Sequence, residues 1–329
     1  MSRRVRFAAL SLVALLALPV ARAASGTAPA SAPAAPAACP PAAVPPTADE
    51  LRNGAHGAVD HGVLWKATKD GRVVWLYGTI HVAQRDWMFP GPQVTKALAA
   101  SDEIALELDL TDPFVVMRLQ TAIVRQGDTP TLPDPLQRRL DAQTVAACMQ
   151  PQALAALRPE MQAVTLEVMQ GRAQGLYPDY GIDMFLAGIG HRLKKPVRSL
   201  ETPESQAHLL VSDDPAETAA TVVQVLDELD AGTGPKMLAR LAGDWARGDL
   251  ADLERYASWC DCLDTPERRA DFVKLVDERN PLMADKIVQW HGQGKSLFVA
   301  VGSLHLIGRV GLPELLRARG FQVVHVAWP

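Results

Sequence analysis

Apolar residues between positions 62 and 328 fall into two kinds of run. Short runs of strand formers, "VVWLYG" (73–78) and "DEIALELDL" (102–110), open the region. "SLFVAVG" (296–302) and "FQVVHVAW" (321–328) close it, and "PVRSLE" (196–201) stands alone in the middle. In the 102–110 run Ile104, Leu106, Leu108 and Leu110 share one face of a strand, and Glu103, Ala105, Glu107 and Asp109 the other. Helical spacing of apolar positions marks the rest: "DPFVVMRLQTAIVRQ", "QALAALRPEMQAVTLEVMQG", "DDPAETAATVVQVLDELDAG" and "TPERRADFVKLVDERN". Asp214 before Pro215 and Gly232 after the last apolar turn are start and stop signals for the third of these, and Pro281 opens a further helix through "PLMADKIVQWHGQGK". Strands at both ends with helices between predict an α/β fold, a central mixed or parallel sheet with a helical middle inserted or capping it.

The two ends resemble each other. "LYGTIHVAQ" and "VGSLHLIG" each run a strand into a glycine, Gly78 or Gly302, with His81 or His305 three positions on. Each is followed by a helix ("PQVTKALAAS", "GLPELLRARG") and another strand. Two degenerate strand–GxxH–helix–strand repeats in one sheet would place both loops at the carboxyl edge of the strands, where open α/β sheets bind ligands. Gly78 and Gly302 are expected to let the backbone turn sharply there, or approach a ligand closely without a Cβ in the way, with the histidines three residues on pointing back over that edge.

Neutral imidazole serves as a metal ligand or as an acid or base near neutral pH. Glu107 is the natural third member, because an unpaired carboxylate is costly in an apolar strand and must meet a cation or a polar site. Two histidines and a carboxylate suit Mn, Co, Fe or Zn better than Ca or Mg. Asp183, in the first turn of the helix begun by "GIDMFL", is either a support for this site or a carboxylate favoured by the helix dipole. Glu201, closing the 196–201 strand, reaches the site or caps, with Gln206 one helical turn on. Arg279-Asn280 is a helix terminus or a pair of donors for an anionic group.

Composition adds the compartment. Arg3, Arg4 and Arg6, an apolar stretch from Phe7 to Val20, and Ala21-Arg22-Ala23 have the layout of a cleaved signal peptide over residues 1–23, by ordinary secretion rather than a twin-arginine route. Residues 24–48 hold 11 alanines and 7 prolines, so residues 24–59 are expected to be a disordered tether, with the folded domain at 60–329. No later apolar stretch is long enough for a bilayer span, and Cys39 lacks the context of a lipid anchor. Loss of the four leader arginines takes the formal charge from −4 to −8, with basic residues scattered rather than striped, which argues against nucleic acid as a partner. In an oxidising compartment Cys148 is expected to pair with Cys260 or Cys262; a thiolate metal site is the less favoured use of these cysteines.

Taken together, "LYGTIHVAQ", "ASDEIALELDL", "GIDMFLAGIGHRLKKPVRSLETPESQ", "LVDERNPLMADKI" and "LFVAVGSLHLIGRVGLPELLRARGFQVVHV" resemble, in order and spacing, the TraB/GumN family, which is related to the Tiki metalloproteases. The resemblance covers roughly residues 62 to 328. It implies a metal-dependent hydrolase, a peptidase acting on a peptide or protein outside the cytoplasm, with Mn or Co as the favoured ion. The matching positions are His81, His305 and Glu107, with Arg279 placed to steady a developing oxyanion and Glu107 available as a base. The chain shows no membrane anchor after the domain, unlike animal Tiki proteins, so a shared substrate does not follow. A related branch binds haem; a non-catalytic haem- or metal-binding protein, or an interaction module on the same fold, is the alternative.

Overall fold

A computed structural model describes residues 39–54 and 56–328. The leader, and the tether up to residue 38, lie outside the described residues. Six strands form one sheet: β1 (Val63–Lys69), β2 (Arg72–Thr79), β3 (Glu103–Leu106), β4 (Val197–Ser199), β5 (Leu297–Gly302) and β6 (Gln322–Val326). Their order is β4-β3-β5-β2-β1-β6. β2, β5, β3 and β4 run parallel, and β1 pairs antiparallel with β2 and with β6. The fold is thus α/β with a mixed, mainly parallel sheet.

Parallel strands covered on both faces read as unbroken apolar runs, and every residue of β3 and β5 is buried. Side chains of β5 alternate between two cores: Leu297, Val299 and Val301 join one face, Phe298 and Ala300 the other. β1 is the strand that the apolar pattern alone does not pick out. It is tied to β2 by a two-residue turn at Asp70-Gly71, both at positive φ (50° and 73°) with Lys69 opposite Arg72, which an Asp-Gly pair favours.

Helices fill the stretch between β3 and β5, as expected, and carry the short β4 within it. Asp214 caps the helix Pro215–Ala231 through its carboxylate, which accepts from the Ala216 and Glu217 amides, and Gly232 ends it at φ 65°. Two expected helices are shorter than their apolar patterns. The 152–171 run is helical only over Pro159–Met169, because a proline disfavours helical backbone in the residue before it. The 265–280 run breaks into Pro266–Phe272 and a π-helical turn, Val273–Asp277.

The expected tether is ordered from Cys39 onward. Val44 N–H donates to the Tyr180 hydroxyl (2.7 Å), the Tyr177 hydroxyl donates to Pro41 O (2.8 Å), and Arg85 holds Glu50 of the short helix Ala48–Asn53 (2.5 and 2.6 Å). A covalent tether explains why so apolar-poor a segment stays down: Cys39 is bonded to Cys148, with their Cα atoms 5.9 Å apart. The expected bridge from Cys148 to Cys260 or Cys262 is therefore not formed. A 3-10 turn at Asp261–Leu263 folds Cys262 back onto Cys260, Cα to Cα 5.0 Å, within the span a disulfide bridges. Among the described residues no helix is long and apolar enough to cross a membrane.

Candidate functional site

The parallel register sets the site. Thr79, the last residue of β2, lies beside Gly302, the last of β5, so both GxxH loops leave the same edge of the sheet. Glu107 follows the end of β3, and Glu201 stands two residues beyond β4, with its amide bonded to the Glu107 carbonyl (3.0 Å). Across the edge, in strand order, stand Glu201, Glu107, His305 and His81. His81, His305, Glu107, Asp183, Gln206, Arg279 and Asn280 are all buried.

Each histidine is oriented by a different helix start. The helix Ile182–Arg192 brings Asp183, whose carboxylate accepts from His81 Nδ1 (2.7 Å) and from Thr79 Oγ1 (2.7 Å). The helix Asn280–Gly292 brings Asn280, whose Oδ1 accepts from His305 Nδ1 (2.6 Å) while its Nδ2 donates to Val310 O (2.9 Å). In both rings the Nδ1 proton is committed to an oxygen, the arrangement that makes Nε2 the acceptor turned toward the site. His305 Nε2 lies 3.7 Å from Glu107 Oε1 and accepts an N–H of Arg279 at 3.2 Å.

Arg279 binds both carboxylates. Its Nη2 donates to Glu107 Oε2 (2.5 Å) and to Glu201, its Nε to Glu201 Oε1 (2.8 Å), and its Nη1 to Leu275 O in the π-helical turn (2.7 Å). Gln206 bridges the same acids, donating to Glu107 Oε2 (3.2 Å) and Glu201 Oε2 (2.8 Å), and the Gly302 amide donates to Glu107 Oε1 (2.8 Å). Burial alone would raise the Glu107 carboxyl, but the Arg279 guanidinium, both histidines and the Gly302 amide hold it at about 2. Burial, reinforced by Arg279, lowers His305 to about 3 against the pull of Glu107, so the ring is neutral. Burial would weaken the Arg279 charge; Glu107 and Glu201 outweigh it and raise its pKa.

Of the two uses expected of the glycines, a sharp turn or a backbone without a Cβ in the way, the geometry favours the second. Neither lies at positive φ; Gly302 has φ −49° and ψ 136°. They are needed for room. A Cβ on Gly78 would stand 2.6 Å from Ser303 Oγ and 2.8 Å from Val63 Cγ2. A Cβ on Gly302 would stand 3.4 Å from Glu107 Oε1, 3.5 Å from His81 Nε2 and 3.8 Å from His305 Cδ2, in the middle of the group. Beside this gap lies a cavity of about 20 Å³ lined by Thr79, His81, Trp245, Gly302 and Ser303, among others, enough for one water-sized occupant. Thr79, Ser303 and Trp245 are participants that sequence patterns do not single out. Trp245 Nε1 donates to Gly78 O (2.8 Å) and Ser303 Oγ to Thr79 O (2.9 Å), holding the two strand ends together.

Among the described residues no three His, Cys, Asp or Glu side chains are already grouped as a metal cluster. The donor set nevertheless fits a transition metal: two imidazoles with anchored Nδ1 positions, an ionised carboxylate, and a glycine leaving space between them.

The chain is 25% identical over 312 residues to "Metalloprotease TIKI2" of Xenopus tropicalis, covering 76% of this chain and 57% of that protein. It is 23% identical over 353 residues to "Metalloprotease TIKI1" of Homo sapiens, covering 85% and 67%. Against "Uncharacterized protein YbaP" of Escherichia coli (strain K12) it is 25% identical over 273 residues, covering 77% and 97%. The chain thus spans only about six-tenths of the first metalloprotease relatives, and nearly all of the bacterial one. No solved structure matches it significantly. The model of the TraB/PrgY/gumN family aligns with residues 63–325, from the first strand into the last and across every residue of the strand-edge site, and the chain belongs to that family.

Proposed function

We propose that the chain is an exported metal-dependent hydrolase acting on a peptide, with a divalent ion, Mn or Co by preference, held by His81, His305 and Glu107. The observation that carries this reading is the paired anchoring of the imidazoles, Asp183 on His81 and Asn280 on His305, around the space at Gly302. The matched positions of the two GxxH loops read as a degenerate internal repeat, each followed by a helix (Pro92–Ala99, Leu312–Ala318) and a strand. Relatives named metalloproteases support the reaction class. The leader and two disulfides support a periplasmic or secreted location.

When bound, such an ion lowers the pKa of a coordinated water and polarises a carbonyl. Asp183 and Asn280 keep the Nδ1 protons in place, so both Nε2 atoms are acceptors; that of His305 accepts an Arg279 N–H, a bond that an ion would replace. Glu107, bonded to a guanidinium and a backbone amide, is suited to charge and ligation rather than to taking up a proton. Arg279 has its donors engaged by Glu107, Glu201 and Leu275; its role is to fix the carboxylates, in place of the expected oxyanion contact. Glu201 and Gln206 complete the belt that orients Glu107.

The same commitment of Glu107 to Arg279 favours, as a second reading, a metal-binding protein without turnover. Hydrolysis of a mixed peptide library by chelated protein resupplied with Mn²⁺ or Co²⁺ separates the two. Metal-dependent cleavage that disappears in His81→Ala and His305→Ala supports the hydrolase; cleavage undiminished in both variants would remove these residues from the reaction.

A further inference from the structure

A second cavity, of about 280 Å³, lies on the other side of Leu304 from the strand-edge site; Leu304, next to His305, lines both spaces. A hydrophobic void of roughly 150 Å³ already takes up benzene, so this one has room for a long side chain. Its walls are apolar and buried, formed by Leu238, Tyr256, Leu263, Leu275 and Leu304. Its lining also contains two glutamates from packed helices, Glu167 of Pro159–Met169 and Glu228 of Pro215–Ala231.

The two acids are not equivalent. Glu228 accepts from Arg268 (3.2 Å) and Gln224 (3.3 Å). Glu167 makes no side-chain hydrogen bond or ion pair among the described residues, and burial, with Glu228 nearby, pushes its carboxyl well above the usual range. Asp227, Asp261 and Asp264 are exposed residues of the same lining, against the single cation Arg268. An apolar cavity with a half-buried carboxyl in its wall and an acidic rim matches one chemistry: a flexible apolar stem ending in a cation.

We propose that this cavity is a subsite for a lysine or arginine side chain of a bound peptide, with Glu167 as the residue that receives the cationic tip. The proposal rests on the strand-edge site as the reaction centre and names the side chain its substrate presents one residue away. Arginine or lysine entering past Asp227 and Asp264 would bury its methylene stem against Tyr256 and Leu275 and supply the partner Glu167 lacks. A carboxylate-bearing or purely apolar side chain would leave that acid unpaired.

The test is binding by the full mature chain, with n-hexylamine as probe and n-hexanol as its uncharged control, followed by calorimetry at pH 7. Wild type should bind the amine at least about tenfold more tightly than the alcohol, the range of a charge-assisted hydrogen bond. Glu167→Gln, which keeps the shape and removes no existing contact, should abolish that preference while melting at or above the wild-type temperature; Glu228→Gln should weaken it. His305→Ala should retain the preference, because this readout needs neither metal nor turnover. Failure of the hydrolase reading would therefore appear in the metal and cleavage assays and not here. Equal binding of amine and alcohol by wild type, or an undiminished preference in Glu167→Gln, would overturn the subsite.

Discussion

Replacing Arg279 by methionine removes the only cation bonded, among the described residues, to Glu107 and Glu201 while keeping an apolar stem of similar reach. In the native fold Glu107 is held at about 2 against an ordinary 4.5. That difference corresponds to about 3 kcal/mol of stability. Breaking one side of a buried ion pair costs about 3–5 kcal/mol, which agrees. At about 2 °C per kcal/mol for a domain of this size, Arg279→Met should melt about 6–10 °C lower at pH 7. The sign with pH follows from the direction of the shift. A carboxyl depressed in the fold stabilises above its unfolded pKa, and that contribution fades as pH falls from 4.5 toward 2. In the variant burial is opposed by the Gly302 and Gln206 amides without the guanidinium, so Glu107 rises and the deficit against wild type should shrink at pH 4. Calorimetric melts of chelated wild type and variant at pH 7 and pH 4 give both numbers. A loss under about 2 °C at pH 7, or the same loss at both pH values, would refute a buried Glu107–Arg279–Glu201 ion cluster.

Three further outcomes follow from the same geometry. Gly302→Ala should fold, since its methyl would meet neighbours at ordinary contact distances of 3.4–3.8 Å, but it should lose metal-induced stabilisation in a melt because the methyl fills the space between Glu107 and His81. Asn280→Ala should weaken metal affinity about 10–100-fold by calorimetric titration, as expected when the partner of a ligating histidine is removed. In chelated protein, His305 sits near 3 in the fold and 6.5 when unfolded, so the unfolded chain binds the extra proton; stability is complete above pH 6.5 and should drop by about 2 kcal/mol by pH 5 in urea titrations, a slope that His305→Gln flattens.

Much of the edge was legible because fully buried parallel strands leave apolar runs that end at glycines, and because histidines, Glu107 and Asp183 stand out against them. β1 escaped because Lys66 and Lys69 interrupt its apolar pattern; the Asp70-Gly71 turn was the signal that would have found it. The glycines are legible but the choice between their two uses is not, because space between packed side chains depends on neighbours remote in sequence. Trp245 illustrates the same limit, since the carbonyl it binds is 167 residues away and nothing in "GDWARG" marks it. Cystine pairing is likewise set by the folded chain, and Cys39 meets Cys148 across 109 residues where the Pro-rich segment lies against Tyr177 and Tyr180.

The central claim is that His81, His305 and Glu107 hold a divalent ion, and metal-dependent melting tests it most directly. Mature protein stripped with chelator would be melted with Mn²⁺, Co²⁺ or Zn²⁺ beside His305→Ala. At about a hundred times the dissociation constant an ion should stabilise wild type by about 2.7 kcal/mol, a rise of about 5 °C, and leave the variant unchanged. A well-folded wild type that no ion stabilises, or a variant that gains as much as wild type, would contradict a metal site between the two GxxH loops.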